Sequence, residues 1–164
     1  MKRPRYIDWF VEETGIRIKE NIPLKCYKVD YKDDEDILDE WALHIRRNYI
    51  EDNELKEDAD LNEMSVDQYL REYIIPQKTE YLGPTARSAD IAEILVADLL
   101  EFIMGYTVPR FKLKNRSGKN NSQQGTDVIA YKYKNPDKSP SNKDELIAAE
   151  VKASLSNDQY TPLE

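Results

Sequence analysis

The run Glu-Leu-Ile-Ala-Ala-Glu-Val-Lys, residues 145–152, decides how the second half of this sequence folds. Its apolar centre predicts a β-strand. Because side chains along a strand alternate between its two faces, Glu150 and Lys152 point the same way and Val151 points into the opposite layer. Opposite charges on a buried strand are costly unless they are paired or bind an ion. The pattern therefore predicts either a site that binds a divalent metal, or an exposed ion pair on an edge strand.

A second strand-forming run, Asp-Val-Ile-Ala-Tyr-Lys-Tyr at residues 127–133, begins with the last residue of a Gly-Thr-Asp turn. In an antiparallel hairpin the start of one strand lies beside the end of the next, so we predict that Asp127 meets Glu150. Two carboxylates at one place suit Mg²⁺, or Mn²⁺ in its stead, because such ions need few protein oxygens and keep several waters. A metal-bound water that attacks a phosphate is the chemistry of phosphodiester hydrolysis. Lys152 would position that water or neutralise charge on the phosphate.

A long helix is predicted from about Thr85 or Ser88, either of which can cap it, to Met104, where Gly105 ends it. The helix is apolar over most of its surface and is therefore expected to be mostly buried. Glu93 lies on its one polar strip and would add a carboxylate to the metal site. The alternative for Glu93 is an ordinary polar surface position.

Between this helix and the hairpin, Thr107 to Lys114 alternates apolar and basic residues, which predicts a further strand. Its basic side chains would face DNA and hold the phosphate backbone. The alternative is a half-exposed strand whose lysines protect a sheet edge. The basic residues assigned to DNA contact are Arg110, Lys112, Lys114, Arg116 and Lys119. The fold class is accordingly α/β or α+β, with a long helix against a three-stranded mixed sheet.

The two halves of the 164-residue chain differ sharply in charge, although the formal net charge is −8. Residues 28–67 carry fifteen Asp and Glu against five Lys and Arg, whereas residues 105–143 carry nine basic against two acidic residues. We therefore predict an acidic, mainly helical N-terminal region over residues 1–80 and the core over residues 81–164. The acidic region is either a solvated surface, or a surface that docks a partner or masks the basic half.

Three local patterns outline the acidic region. Residues 6–14 predict a short helix, and the acidic run at 33–36 opens a longer helix to Tyr49. Residues 51–64 are expected to be an acidic connection. Ser65 followed by Gln68 three residues later is a capping-box pattern, and that helix should stop before Pro76.

Several classes of protein are excluded or disfavoured by what the sequence lacks. Cys26 is the only cysteine and His44 the only histidine, so an intrachain disulfide, a cysteine zinc site and an HExxH metal site are excluded. No run approaches the ~20 apolar residues of a membrane helix. The basic N-terminus is not followed by an apolar run, so we expect no signal peptide and a cytoplasmic protein.

Taken together, the helical Glu93, the Gly-Thr-Asp at 125–127 and the Glu-Val-Lys at 150–152 resemble the active-site set of the PD-(D/E)xK nuclease superfamily. The resemblance implies a restriction-endonuclease-like core and gives catalytic roles to Glu93, Asp127, Glu150 and Lys152. The longer segments 41–49, 88–95 and 109–113 are similar to the DUF1837 family, the HamA-like nuclease subunit of the Hachiman anti-phage defence system.

That resemblance implies a metal-dependent DNase that works beside a helicase, which restrains the nuclease until it meets damaged or foreign DNA. The superfamily core continues after its third strand with a helix and a further strand, whereas this chain stops at Glu164 after a Leu-Glu ending typical of a vector scar. We therefore expect an incomplete core. Two other functions are left open: a non-catalytic DNA-binding or scaffold subunit that keeps the nuclease fold, and a protein-interaction module built on the acidic helices.

Overall fold

The computed structural model of the protein describes residues 2–16, 24–121 and 124–154. The chain separates into two compact units, Met1–His44 and Ile45–Glu164. The units divide between His44 and Ile45, whereas the boundary expected from charge and motifs lies between residues 80 and 81. Each unit contains its own buried residues.

The first unit is built around a hairpin and the start of a helix. A turn of 3-10 helix, Arg5–Trp9, leads into strand β1, Phe10–Glu13, which pairs antiparallel with β2, Cys26–Val29. Helix α1 begins at Glu35, as the acidic run predicts, and ends at Tyr49 in the second unit. The helix expected over residues 6–14 is wrong, because Phe10 to Glu13 form ladder hydrogen bonds with a strand that lies far away in sequence.

The second unit begins with two further helices. Helix α2, Asp52–Leu61, lies where an acidic connection was expected, and that expectation is wrong. Leu55 and Ala59, one turn apart, are both buried, so α2 is held by one narrow apolar face. Helix α3, Val66–Tyr69, is capped by the Ser65 hydroxyl, which accepts from the N–H of Gln68. The predicted cap is confirmed, and the helix continues through a wider turn over Leu70–Ile74 and stops before Pro76.

Helix α4, Gly83–Asp98, is the long helix that the sequence predicts, and a π-helical turn over Leu99–Ile103 continues it. It begins before Thr85 and Ser88, so neither residue caps it. Gly83, its first residue, packs so closely that a Cβ there would collide with the backbone carbonyl oxygen of Gln77. Among the described residues, no helix is both long and apolar enough to cross a membrane.

The hairpin of the second unit consists of strand β3, Val128–Lys132, and strand β4, Glu145–Ala149, paired antiparallel. Its inner face packs on α4 through Ala97, Leu100, Val128 and Ala130. Within the described ranges this sheet has two strands, so the predicted three-stranded mixed sheet is wrong. The α+β class is confirmed, and the restriction-endonuclease-like core stays a prediction.

The missing third strand has a clear cause. Thr107 makes a single bridge to Tyr131, after which Pro109 offers no N–H to a ladder and the chain enters a turn at residues 112–115. The alternating basic side chains of this segment also turn toward acidic partners on α4 rather than line a sheet face. Side-chain ion pairs therefore replace the backbone ladder that alternation predicts.

Candidate functional site

Glu93 lies on the face of helix α4 that packs against the β3–β4 hairpin. It lies one turn before Ala97, which is buried against β3, so its side chain points toward the start of that strand. The carboxylate is largely enclosed, with 15% of the side chain exposed. This burial raises the pKa of Glu93, and the nearby Lys112 only partly opposes the shift.

Asp127 lies at the bend that leads into β3. Gly125 precedes it with a φ of +120°, a conformation that favours glycine and turns the chain into the strand. The carboxylate Oδ2 of Asp127 accepts a hydrogen bond from the backbone N–H of Val151 at 2.8 Å. Since Val128 pairs with Ala149, the start of β3 does lie beside the end of β4, as the sequence predicts.

Lys112 joins these two acidic residues. Its Nζ donates to Glu93 Oε1 at 2.9 Å and to Asp127 Oδ1 at 2.8 Å. Burial disfavours the charged forms of Lys112 and Asp127, which by itself would lower the pKa of Lys112 and raise that of Asp127. The hydrogen bonds of the cluster outweigh this effect, so the pKa of Lys112 is raised and that of Asp127 is lowered. The N–H of Val151 lowers the pKa of Asp127 further. A protonated ammonium thus sits between two carboxylates that the sequence assigns to one site.

Sequence reasoning assigned Lys112 to the DNA backbone and missed this position. Its partners stand 19 and 15 residues away along the chain, and no motif links residues at those spacings. The alternation around Lys112 indicates only which side chains share a face. Its neighbours across space depend on how α4 packs on the hairpin.

Glu150 and Lys152 lie at the end of β4, beside the start of β3. Their side chains are 66% and 75% exposed and pair with each other, with Nζ 2.6 Å from Oε1. The cause is strand alternation, because Ala149 and Val151 pack toward the core and leave the residues beside them facing outward. The structure therefore brings Glu93 and Asp127 together and leaves Glu150 and Lys152 as an exposed pair at the same end of the hairpin. The catalytic roles of all four residues stay predictions.

The cluster consists of the carboxylates of Glu93 and Asp127 and the ammonium of Lys112. Among the described residues, no three His, Cys, Asp or Glu side chains gather closely enough to form a metal site. Two carboxylates do meet around one position, and the ammonium of Lys112 held there shows that the position accepts a cation. Carboxylate oxygens are the donors that Mg²⁺ and Mn²⁺ prefer. The donor set fits such an ion, and Glu93 and Asp127 are the residues that would hold it.

A family model described as HamA matches residues 4–161. The chain belongs to the HamA family. Among curated proteins and solved structures, nothing matches this chain.

The expected likeness to a Hachiman HamA-like protein is confirmed at the level of the family. HamA membership suggests a component of that anti-phage defence. The assignments to the DUF1837 family and to the PD-(D/E)xK superfamily remain predictions, as do the nuclease activity and the helicase partner.

Beside the Glu93–Lys112–Asp127 cluster, this HamA-family chain has a cavity of about 220 Å³. The cluster forms part of its wall, and the half-exposed ring of Phe111 forms another part. Other apolar residues that line the cavity are Ile94, Ala97, Val108, Val128 and Ile129. An apolar cavity next to charged groups can accept a ligand that has both a flat apolar part and an anionic part.

The other basic residues assigned to DNA contact also have acidic partners within the second unit. Lys114 pairs with Glu51, and Lys119 pairs with Glu80 at 2.5 Å. Arg116 lies in a buried group with Asp90, to which the Tyr49 hydroxyl also donates at 2.9 Å. Contact with a phosphate would require these pairs to open, and DNA contact by these residues stays a prediction.

Arg110 and Arg116 are the most enclosed of the five. The guanidinium of Arg110, with 9% of the side chain exposed, contacts Asp98 at 2.5 Å and Glu101 at 2.7 Å. It also donates to the side-chain oxygen of Asn48 at 3.0 Å. Arg110 therefore fastens to α4 the segment that carries Lys112 two residues later.

Proposed function

We propose that this HamA-family chain is a metal-dependent DNA endonuclease that uses Mg²⁺ or Mn²⁺. It would act as the effector of a Hachiman anti-phage defence beside a helicase partner. The observation that carries the proposal is the convergence of Glu93 and Asp127 on one cation position. That position lies at the same end of the β3–β4 hairpin as Glu150 and Lys152.

The bound metal would supply an activated water and stabilise negative charge on the scissile phosphate. Asp127 is suited to holding a cation because its lowered pKa keeps it ionised and the N–H of Val151 orients its carboxylate. Glu93 contributes a second carboxylate from α4. Glu150 would join them by turning away from Lys152, with which it shares a solvated and therefore weak ion pair.

Lys152 supports the reaction as a charge rather than as a base. Its bond to Glu150 raises its pKa, which keeps the ammonium protonated at neutral pH. Once Glu150 turns away, the Lys152 ammonium is available to a phosphate oxygen. The cavity beside Phe111 would receive the adjacent sugar or base, since it is apolar and borders the carboxylates.

The test is cleavage of plasmid and linear DNA with Mg²⁺, Mn²⁺ or EDTA, by the chain alone and with the helicase partner. Variants Asp127→Asn, Glu150→Gln and Lys152→Ala are each expected to lose cleavage by roughly 10²-fold or more. Matched controls are Asp60→Asn, an exposed acid on α2, and Lys134→Ala, an exposed lysine on the same hairpin. Both controls should cut at the unsubstituted rate. Undiminished cutting by Asp127→Asn and Glu150→Gln would refute the site.

A second candidate, a non-catalytic DNA-binding or scaffold subunit, is favoured by a different feature of the same residues. Every charged side chain of the predicted set already has a partner, in the Glu93–Lys112–Asp127 cluster or in the Glu150–Lys152 pair. Such pairing suits a structural role as well as a catalytic one. DNA binding without cleavage, in any metal and with the helicase present, would put this candidate first.

A further inference from the structure

We infer that Lys112 is the resident cation of the Glu93–Asp127 pair and controls the affinity of that pair for a divalent metal. The inference rests on the proposed function, since it concerns the same two carboxylates. Its basis is that one nitrogen contacts an oxygen of each acid, at 2.9 Å and 2.8 Å.

Lys112 and a divalent ion compete for the same atoms. A divalent metal held by Glu93 and Asp127 would need these carboxylates as ligands. The Lys112 ammonium already contacts an oxygen of each, so the two cations would lie close together in a largely enclosed place where like charges repel strongly. Metal binding therefore requires the Lys112 ammonium to leave.

The side chain of Lys112 has room to move while its backbone stays in place. Arg110 fastens the segment to α4 and its π-helical continuation through a buried ion pair with Asp98 and a partly exposed one with Glu101. Lys112 and Glu93 form part of the wall of the 220 Å³ cavity, and also of a second cavity of about 380 Å³ beside Asp90. The ammonium can therefore swing out of the carboxylate pair by rotating its own side chain.

This competition lowers the apparent affinity for the metal. A site that is open for only part of the time binds its ligand more weakly, in proportion to the open fraction. A phosphodiester whose oxygens accept hydrogen bonds from the displaced ammonium would raise the open fraction of the site. DNA and metal should therefore each strengthen the binding of the other. Lys112 thus favours metal binding by the Glu93–Asp127 pair when nucleic acid is present.

The experiment is calorimetric titration of the full chain with Mn²⁺, without DNA. Lys112→Met, which keeps length but removes the charge, should bind Mn²⁺ about tenfold more tightly or better. Lys112→Arg keeps a competing cation and should bind no more tightly than the unsubstituted chain. Lys134→Met controls for loss of a lysine elsewhere on the surface, and Asp127→Asn should abolish binding. Circular dichroism checks that each variant is folded.

Equal or weaker Mn²⁺ binding by Lys112→Met, where the unsubstituted chain binds, overturns the inference and leaves the metal site standing. Lack of binding by both proteins, or binding that Asp127→Asn leaves unchanged, refutes the metal site and the proposed function with it.

A measurement on the unsubstituted chain is independent of how the variants fold. Acetylation of Lys112 by acetic anhydride, followed by mass spectrometry, should become faster when Mn²⁺ is added, because the ammonium is then released. Lys134 serves as the internal reference and should not change. A Lys112 acetylation rate that Mn²⁺ leaves unchanged, at concentrations where calorimetry shows binding, also overturns the inference.

Discussion

Arg110→Met tests whether a buried ion pair positions the site segment. The guanidinium of Arg110 contacts Asp98, whose side chain is fully buried, and Glu101, which is partly exposed. Methionine fills a similar volume but removes the charge and the hydrogen bonds. Asp98 would then remain in the interior without the guanidinium that compensates its charge.

The magnitude follows from the burial of the two partners. Removing one member of a buried ion pair costs about 3–5 kcal/mol of unfolding free energy. Because Glu101 is partly solvated, the contact with it is screened and the lower end, about 3 kcal/mol, applies. Small domains lose ~1–3 kcal/mol of stability per molar urea, so the urea midpoint should fall by roughly 1–3 M.

The assay is urea unfolding followed by far-UV circular dichroism, which reports on the helices of the second unit. Tryptophan fluorescence is unsuitable, because Trp9 and Trp41 both lie in the first unit. The matched control is Arg71→Met, which removes an exposed pair with Asp67 one helical turn away. That change should cost no more than ~0.5 kcal/mol.

Two results would refute this reasoning. One is an Arg110→Met midpoint that falls no further than that of Arg71→Met. The other concerns the double variant Arg110→Met with Asp98→Leu, which removes both charges and should recover part of the lost stability. A double variant less stable than Arg110→Met alone would show that Asp98 contributes through contacts other than this ion pair.

Three further predictions concern the same unit. Tyr49→Phe removes a buried hydrogen bond to Asp90 and should lower the unfolding free energy by about 1–2 kcal/mol in urea melts, while a change under ~0.3 kcal/mol would contradict it. Gly83→Ala forces a Cβ against the carbonyl of Gln77 and should cost about 1–3 kcal/mol by thermal unfolding, whereas an unchanged melting temperature would show that the turn adapts. Hydrogen bonds from the Lys119 ammonium and from the backbone N–H of Gln77 lower the pKa of Glu80 from 4.5 to about 2. The Glu80 carboxylate therefore stabilises the fold above pH 4.5, and this stabilisation decreases as the pH falls toward 2. Glu80→Gln should therefore be less stable than the unsubstituted chain at pH 7 and nearly equal to it near pH 2, and a gap that does not narrow would contradict the assignment.

Local patterns predicted the elements whose determinants lie close together in sequence. The apolar helix near residues 85–104, the two strands of the second hairpin and the Ser65 cap all appear in the structure. Helical periodicity, strand alternation and a hydroxyl three residues before an N–H are each set within one or two turns of chain. Such features survive tertiary packing because packing reinforces them.

Other predictions were wrong where contacts with residues distant in the sequence outweighed the local pattern. Phe10 to Glu13 form a strand because β2 supplies their ladder, and the acidic α2 is held by the burial of Leu55 and Ala59. Thr107 to Lys114 does not form a strand because Arg110 and Lys112 turn toward acids on α4. Those partners lie up to 19 residues away along the chain, and no local pattern indicates which of them will meet.

The sequence by itself determined that Glu150 and Lys152 share a face and that Asp127 lies at the end of the hairpin where they stand, since both follow from strand geometry. Only the tertiary structure decided which face α4 covers, because both faces of β4 carry apolar residues. The helix covers the face of Ala149 and Val151, which leaves Glu150 and Lys152 in solvent and brings Lys112 between Glu93 and Asp127. Alternation sorts side chains into two sets, but burial, which assigns each set to core or solvent, is a property of the whole packed unit.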